Sequence, residues 1–72
     1  MSDGRTTVVS SNILSVGYDD NTETLEVEFV HGGVYQYYGV PETVYRELMQ
    51  APSKGQYLNA YIKDRYPYSR VG

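Results

Sequence analysis

Between Thr24 and Val30 the side chains alternate: Leu25, Val27 and Phe29 fall on one side and Glu26 and Glu28 on the other. A period of two predicts a strand with one buried and one wet face. Ile13 to Tyr18 reads as a preceding strand, with Leu14, Val16 and Tyr18 on a common face. Between them lies Asp19-Asp20-Asn21-Thr22, whose short polar side chains favour turns. Val34 to Tyr38, after His31-Gly32-Gly33, is a third strand. Beyond Pro41 the period changes. Val44, Tyr45, Leu48 and Met49 share one side of a helix, with Pro41 suited to its first position and Glu42 to its first turn. Pro52 stops that helix. Ser53 to Gln56 has the form of a capping box, opening a second helix that buries Tyr57, Leu58, Tyr61 and Ile62. Tyr66 sits at its edge and Pro67 ends it. No repeat or linker interrupts the pattern.

Two registers suit the second hairpin. A two-residue loop, Gly32-Gly33, pairs His31 with Val34 and Phe29 with Gln36. A three-residue loop, His31 to Gly33, pairs Val30 with Val34, Phe29 with Tyr35 and Val27 with Tyr37. Paired residues share a face, and a slip of one residue reverses every side chain. Only the longer loop sets the large rings beside Leu25, Val27 and Phe29, so it is expected, with Gly33 left-handed. Strands followed by helices predict an α+β fold: a three-stranded antiparallel meander, then two α-helices packed on one sheet face. The outer face carries Ser15, Glu26, Glu28 and Gln36, with Val30, Val34 and Tyr38 among them. Residues 1–7 are expected to be a disordered arm, 8–66 the domain and 67–72 a tail.

At 72 residues the chain is one domain. A domain of this size buries only about 60% of its unfolded surface, so each core residue counts. Without cysteine it has neither a disulfide nor a thiolate metal site, which suits a reducing cytoplasm. A signal peptide is not expected, nor a membrane partner, since no run nears the ~20 apolar residues of a membrane span. Nine tyrosines stand against one phenylalanine and no tryptophan. Each ring has an apolar body and a hydroxyl that wants water or a partner. Periodicity and register place Tyr35, Tyr37, Tyr45, Tyr57 and Tyr61 in the core and leave Tyr38, Tyr66 and Tyr68 free.

Charge is divided along the chain. Residues 1–52 hold two cations against eight carboxylates, a balance of −6. Residues 53–72 hold Lys54, Lys63, Arg65 and Arg70 against Asp64 alone, a balance of +3. An enzyme is not expected, because the lone His31 sits in a glycine-rich turn and no nucleophile, base and orienting group converge. Asp19, Asp20 and Glu23 read as a solvated acidic turn rather than a cation site. Gly32-Gly33 opens no helix, so it is no phosphate loop. Ser53-Lys54-Gly55 could hold an anion at a helix N-terminus, but an ordinary capping box is the better reading. No catalytic, cofactor or metal residue is assigned. The candidate surface is nucleic-acid binding: Ser53, Lys54, Gly55, Lys63, Arg65, Tyr66, Tyr68 and Arg70. Its cations would meet phosphates while tyrosines, Tyr57 and Tyr61 included, stack bases.

An ordered set of short motifs adds to this. Ser10-Ser11-Asn12-Ile13 is followed by Gly17-Tyr18-Asp19, a central Tyr35-Gln36-Tyr37, then Val40-Pro41, Tyr45 and Leu48. Ala51, Ser53-Lys54-Gly55, Tyr57, Asn59 and Ile62 complete it. Over residues 8–66 the chain resembles the KTSC domain, named for the C-terminal domain of some lysyl-tRNA synthetases and also found as small stand-alone bacterial proteins. The resemblance implies RNA or tRNA as partner. The alternative is a protein-interaction or self-association module using the outer sheet face or a free strand edge.

Overall fold

The computed structural model describes residues 5–72. Its elements are β1 (Thr6–Thr7), β2 (Ile13–Asp19), β3 (Thr24–Phe29), β4 (Val34–Tyr37), α1 (Glu42–Gln50), α2 (Lys54–Tyr61) and β5 (Tyr68–Arg70). The α+β class stands, but the sheet has five antiparallel strands in the order β1-β2-β3-β4-β5, not three. Both extra strands are short, exposed edges. Thr6 and Thr7, expected in the arm, pair with Val16 and Ser15; residues 1–4 of that arm lie outside the described residues. Tyr68, Ser69 and Arg70, expected in a tail, pair with Tyr37, Gln36 and Tyr35. An unpaired strand edge is a row of unmet donors and acceptors. The flanking chain meets that demand whatever its hydrophobicity, so alternation gives no sign of it.

The inner face is apolar. Ile13, Val16, Leu25, Val27, Tyr37 and Val40 form one buried cluster with Leu48 of α1, Leu58 of α2 and Ile62. In β2 the expected face is half right. A bulge between Ile13 and Ser15 turns Ile13 inward, while Leu14 is 43% exposed. Such an extra residue rotates the strand and re-aims its side chains.

The second hairpin has a three-residue loop, but one position earlier than expected: Val30 to Gly32, with the Phe29 amide donating to Gly33 O at 3.1 Å. Val27 therefore pairs with Tyr35 and Leu25 with Tyr37. The reason lies across the sheet, where the Val30 amide donates to Asn12 O at 2.9 Å. That bond draws Val30 toward β2 and away from β4. The pairing moves by two residues, which keeps every side chain on its expected face. Gly32 and Gly33 both have positive φ, 106° and 96°, so left-handed backbone is not confined to Gly33.

In α1, Pro41 is the N-cap (φ −65°, ψ 153°) rather than the first helical residue. Ser53 caps α2, its hydroxyl accepting from the Gln56 amide at 3.3 Å. That helix closes at Tyr61, well short of Pro67, and Ile62 forms its C-cap. Leu58 and Ile62 are buried as expected, whereas Tyr61 is 54% exposed. Tyr57 is half-buried and donates to Glu47 Oε1 at 2.7 Å, tying α2 to α1. Among the described residues, no helix is long and apolar enough to cross a membrane.

The outer face is not simply wet. Glu26 is 5% exposed and Ser15 8%. Arg5, just ahead of β1, lies across their centre, with Nε 3.3 Å from Glu26 Oε2. Gly17 makes room for it: a methyl group there would lie 2.7 Å from Arg5 Cγ. Gln36 Nε2 donates to Glu26 Oε1 at 2.9 Å, and the Ser15 hydroxyl to Glu28 Oε1 at 3.0 Å.

Candidate functional site

The residues singled out from sequence separate into distinct places. Ser53 is occupied as a cap, and the Lys54 ammonium donates to Ala51 O at 3.3 Å. Tyr66 is half-buried against the core. Arg65 is exposed in the turn after α2. Tyr57 and Tyr61, with ring centroids 4.8 Å apart, border an open groove of about 350 Å³ with Ser53 and Pro52. Gly55, Lys63 and Tyr68 lie elsewhere, around a cleft between the sheet and α2, with Arg70 near by at the strand edge.

That cleft has two lobes. The first, about 170 Å³, is lined by Phe29, His31, Tyr35, Tyr37, Tyr68 and Lys63. The second, about 190 Å³, is lined by Asn12, Phe29, His31, Gly55, Leu58, Asn59 and Lys63. Phe29, His31 and Lys63 belong to both. Each lobe is smaller than the ~300 Å³ at which drug-sized pockets begin. Either therefore suits one planar ring rather than an entire cofactor.

Strand register builds the aromatic lobe. Tyr37 pairs with Tyr68 and Tyr35 with Arg70, so all four lie on the inner face at its β5 end. The Tyr68 ring stands 5.8 Å from Tyr35 and 5.7 Å from Tyr37. The Tyr35 ring meets Phe29 edge-on at 5.5 Å. His31 stacks on Phe29 at 5.5 Å with 10° between the planes. Tyr68 is 56% exposed while Tyr37 is 3% exposed, so the lobe grades from a dry floor to an open wall. Burial pushes the Tyr37 phenol up, and the neighbouring Tyr35 and Tyr68 phenols add to the rise.

The second lobe is made by α2. Gly55 and Asn59 are one helical turn apart and so share a face. Lys63 follows, placed by its own amide, which donates to Leu58 O at 2.8 Å. Asn12 crosses from the start of β2; a methyl group on Gly55 would lie 2.9 Å from its Nδ2. Among the described residues, no hydrogen bond engages the side chains of Asn12, His31, Asn59 or Lys63. Their polar atoms are available to a ligand. Arg70 adds a second cation, packed beside Gly33 at the strand edge with Nε donating to Gly72 O at 2.9 Å.

Chemically the cleft offers stacking faces, unengaged amides and positive charge at its rim. Of the residues singled out from sequence, Gly55, Lys63 and Tyr68 line this cleft. It also takes in Phe29, His31, Tyr35 and Tyr37, which periodicity reads as turn or core, and Asn12 and Asn59. One signal was available: Gly55, Asn59 and Lys63 recur at intervals of four, a polar stripe beside the apolar one.

Comparison with known proteins agrees with this fold. A family model, the KTSC domain, matches residues 9–66. The crystal structure of a KTSC domain protein from Yersinia pestis superposes with a TM-score of 0.92 at 43% identity, covering 94% of this chain and 96% of that one. A lysine–tRNA ligase of Trichormus variabilis is 48% identical over 54 residues, 75% of this chain and 10% of the ligase. A protein of Stutzerimonas stutzeri is 40% identical over 68 residues, 93% of this chain and 96% of its own length. The chain thus spans about a tenth of the ligases it matches and nearly all of the small protein.

Proposed function

The chain belongs to the KTSC domain family, and from that premise we propose that it is a small RNA-binding domain whose ligand is an unpaired segment of RNA, tRNA included. The observation that carries this reading is the cleft, where exposed Tyr68 and stacked His31–Phe29 rings stand beside Lys63, with Arg70 paired to Tyr35 on the same sheet face. Stacking is sequence-tolerant and worth about 1–3 kcal/mol per base, while lysine and arginine meet the backbone. The lysine–tRNA ligase relatives support RNA as the class of ligand. We read the site as a binding site and not a catalytic one, because His31 packs on Phe29 with no partner to orient it as a base.

The outer sheet face supports a protein partner less well. Arg5 already covers its centre, and the exposed apolar residues around it, Leu14 at 43% and Val30 at 50%, sit at a bulge and a turn rather than on a flat strand face.

The test is a titration of labelled single-stranded RNA and tRNA at low and high salt. Binding that weakens as salt rises is expected, with a shallow slope because few cations line the cleft. Lys63→Glu, at an exposed position, should weaken binding about tenfold while leaving the thermal midpoint in place, and Tyr68→Ala should weaken it about as much with circular dichroism showing that the fold persists. No binding of either RNA at low salt rules the reading out.

A further inference from the structure

The second lobe carries more information than non-specific binding needs. Stacking and a cation suffice for that, yet this lobe also brings two carboxamides, Asn12 and Asn59, to one cavity from different elements. Neither carboxamide forms a hydrogen bond among the described residues, although Asn12 is fixed at its backbone. Its amide donates to Ser10 Oγ at 3.2 Å and its carbonyl accepts from the Val30 amide at 2.9 Å. The absent side chain of Gly55 lets Asn12 Nδ2 lie against α2. The two amides are thus placed structurally and left unpaired chemically.

A carboxamide is an acceptor beside a donor, and it pairs bidentately with any base edge showing the converse. Cytosine and uracil can each satisfy one such amide, cytosine through N3 and N4–H and uracil through its single N3–H. Each purine can satisfy two. Adenine does so because its N6 amino group carries two hydrogens flanked by N1 on one side and N7 on the other, and guanine through O6 with N1–H and N3 with N2–H. Two carboxamides lining one cavity can both be satisfied by a single purine, with its ring against the His31–Phe29 stack and its phosphate at Lys63. The lobe, at about 190 Å³, is sized for one ring system.

We propose that the lobe formed by Asn12, Gly55 and Asn59 is a base-reading pocket that prefers an unpaired purine. This rests on the RNA reading above and adds sequence preference to it. The aromatic lobe would hold a neighbouring base without regard to identity.

The experiment compares short oligouridylates that differ in one central nucleotide: adenosine, uridine, cytidine or guanosine. At least one of the two purine strands is expected to bind at least about fivefold tighter than both pyrimidine strands, the lower end for one bidentate contact. In the Asn12→Ala/Asn59→Ala protein that advantage should shrink to within about twofold. Equal, salt-sensitive binding of all four strands would overturn the purine preference and leave the RNA reading standing, as would an advantage that survives the double substitution. Failure of every strand at low salt would overturn both. Circular dichroism of the double variant separates a lost preference from a lost fold, and Asn59→Ala alone, at an exposed helical position, should halve the advantage or more without unfolding.

Discussion

The two faces of the sheet are built from the same alternating strands, yet they are closed by different physics. Inside, Val16, Leu25 and Val27 are fully buried under α1 and α2. Outside, Glu26 is nearly as inaccessible, but a single arginine covers it and hydrogen bonds satisfy it. The apolar face tolerates any filling of suitable shape; the polar face needs each donor matched. One atom shows how narrow that tolerance is: Arg5 Nη1 is buried without a hydrogen-bond partner, 4.0 Å from Glu28 Oε1. Alternation therefore distinguishes the faces without revealing whether the polar one is wet.

Substitutions can break this comparison at either face. Leu25→Ala, in the inner layer, should cost about 2–5 kcal/mol. That is a large share of the stability of a domain of this length, at about 0.05–0.15 kcal/mol per residue. Urea denaturation checks it, and a loss below about 1 kcal/mol would mean the inner layer can collapse around the gap. On the outer face Arg5→Ala should cost about 1–3 kcal/mol, since it strands Glu26. The double variant Arg5→Ala/Glu26→Gln should cost less than the two single losses added together; strict additivity would show that the ion pair is incidental.

Smaller effects sharpen the picture where polar groups return at the margin of the helical layer. Ser53→Ala removes the only side-chain cap of the two helices and should cost about 1 kcal/mol in thermal unfolding. Tyr57 supplies a pH signature. Burial, and then its hydrogen bond to Glu47, push its phenol from 10.0 up to about 12. The folded state holds this proton more tightly than the unfolded one. The contribution is therefore complete below pH 10 and is lost as pH rises toward 12. An ultraviolet titration should show a late-ionising tyrosine that disappears in Tyr57→Phe; an unchanged curve would place the hydroxyl in water.

Much of this architecture was legible from residue order. The alternation around Leu25, the apolar stripe at Val44 to Met49 and the Ser53 cap each reflect local physics, and each stands in the structure. What was not legible depends on distant backbone. Ile13 displaces Leu14 because of a bulge against β3, and the Val30 turn moves because its amide finds Asn12. The candidate site suffered from the same cause. His31 looked like turn chemistry, and only the register that stacks it on Phe29 brings it to the cleft beside Lys63. Tyr61 was assigned inward because its spacing fits, but the helix closes there and its ring stays outside.

The Tyr38 amide donates to Pro67 O at 2.9 Å, directly beside the pairing of β4 with β5. The chain thus leaves the sheet and returns to it at a single point, and both helices are an excursion whose two ends touch. Loop-closure entropy grows only slowly with length, by about 0.6 kcal/mol per doubling. Such an excursion behaves as a cassette: helices of other lengths could be carried between the same two strands at little entropic cost, provided they still bury the residues that stand where Leu48, Leu58 and Ile62 do. One wall of the cleft is carried on this cassette and the opposite wall on the sheet. Asn59 and Lys63 can thus be exchanged as a unit, retuning what the cleft accepts while Tyr35, Tyr37 and Tyr68 remain in place.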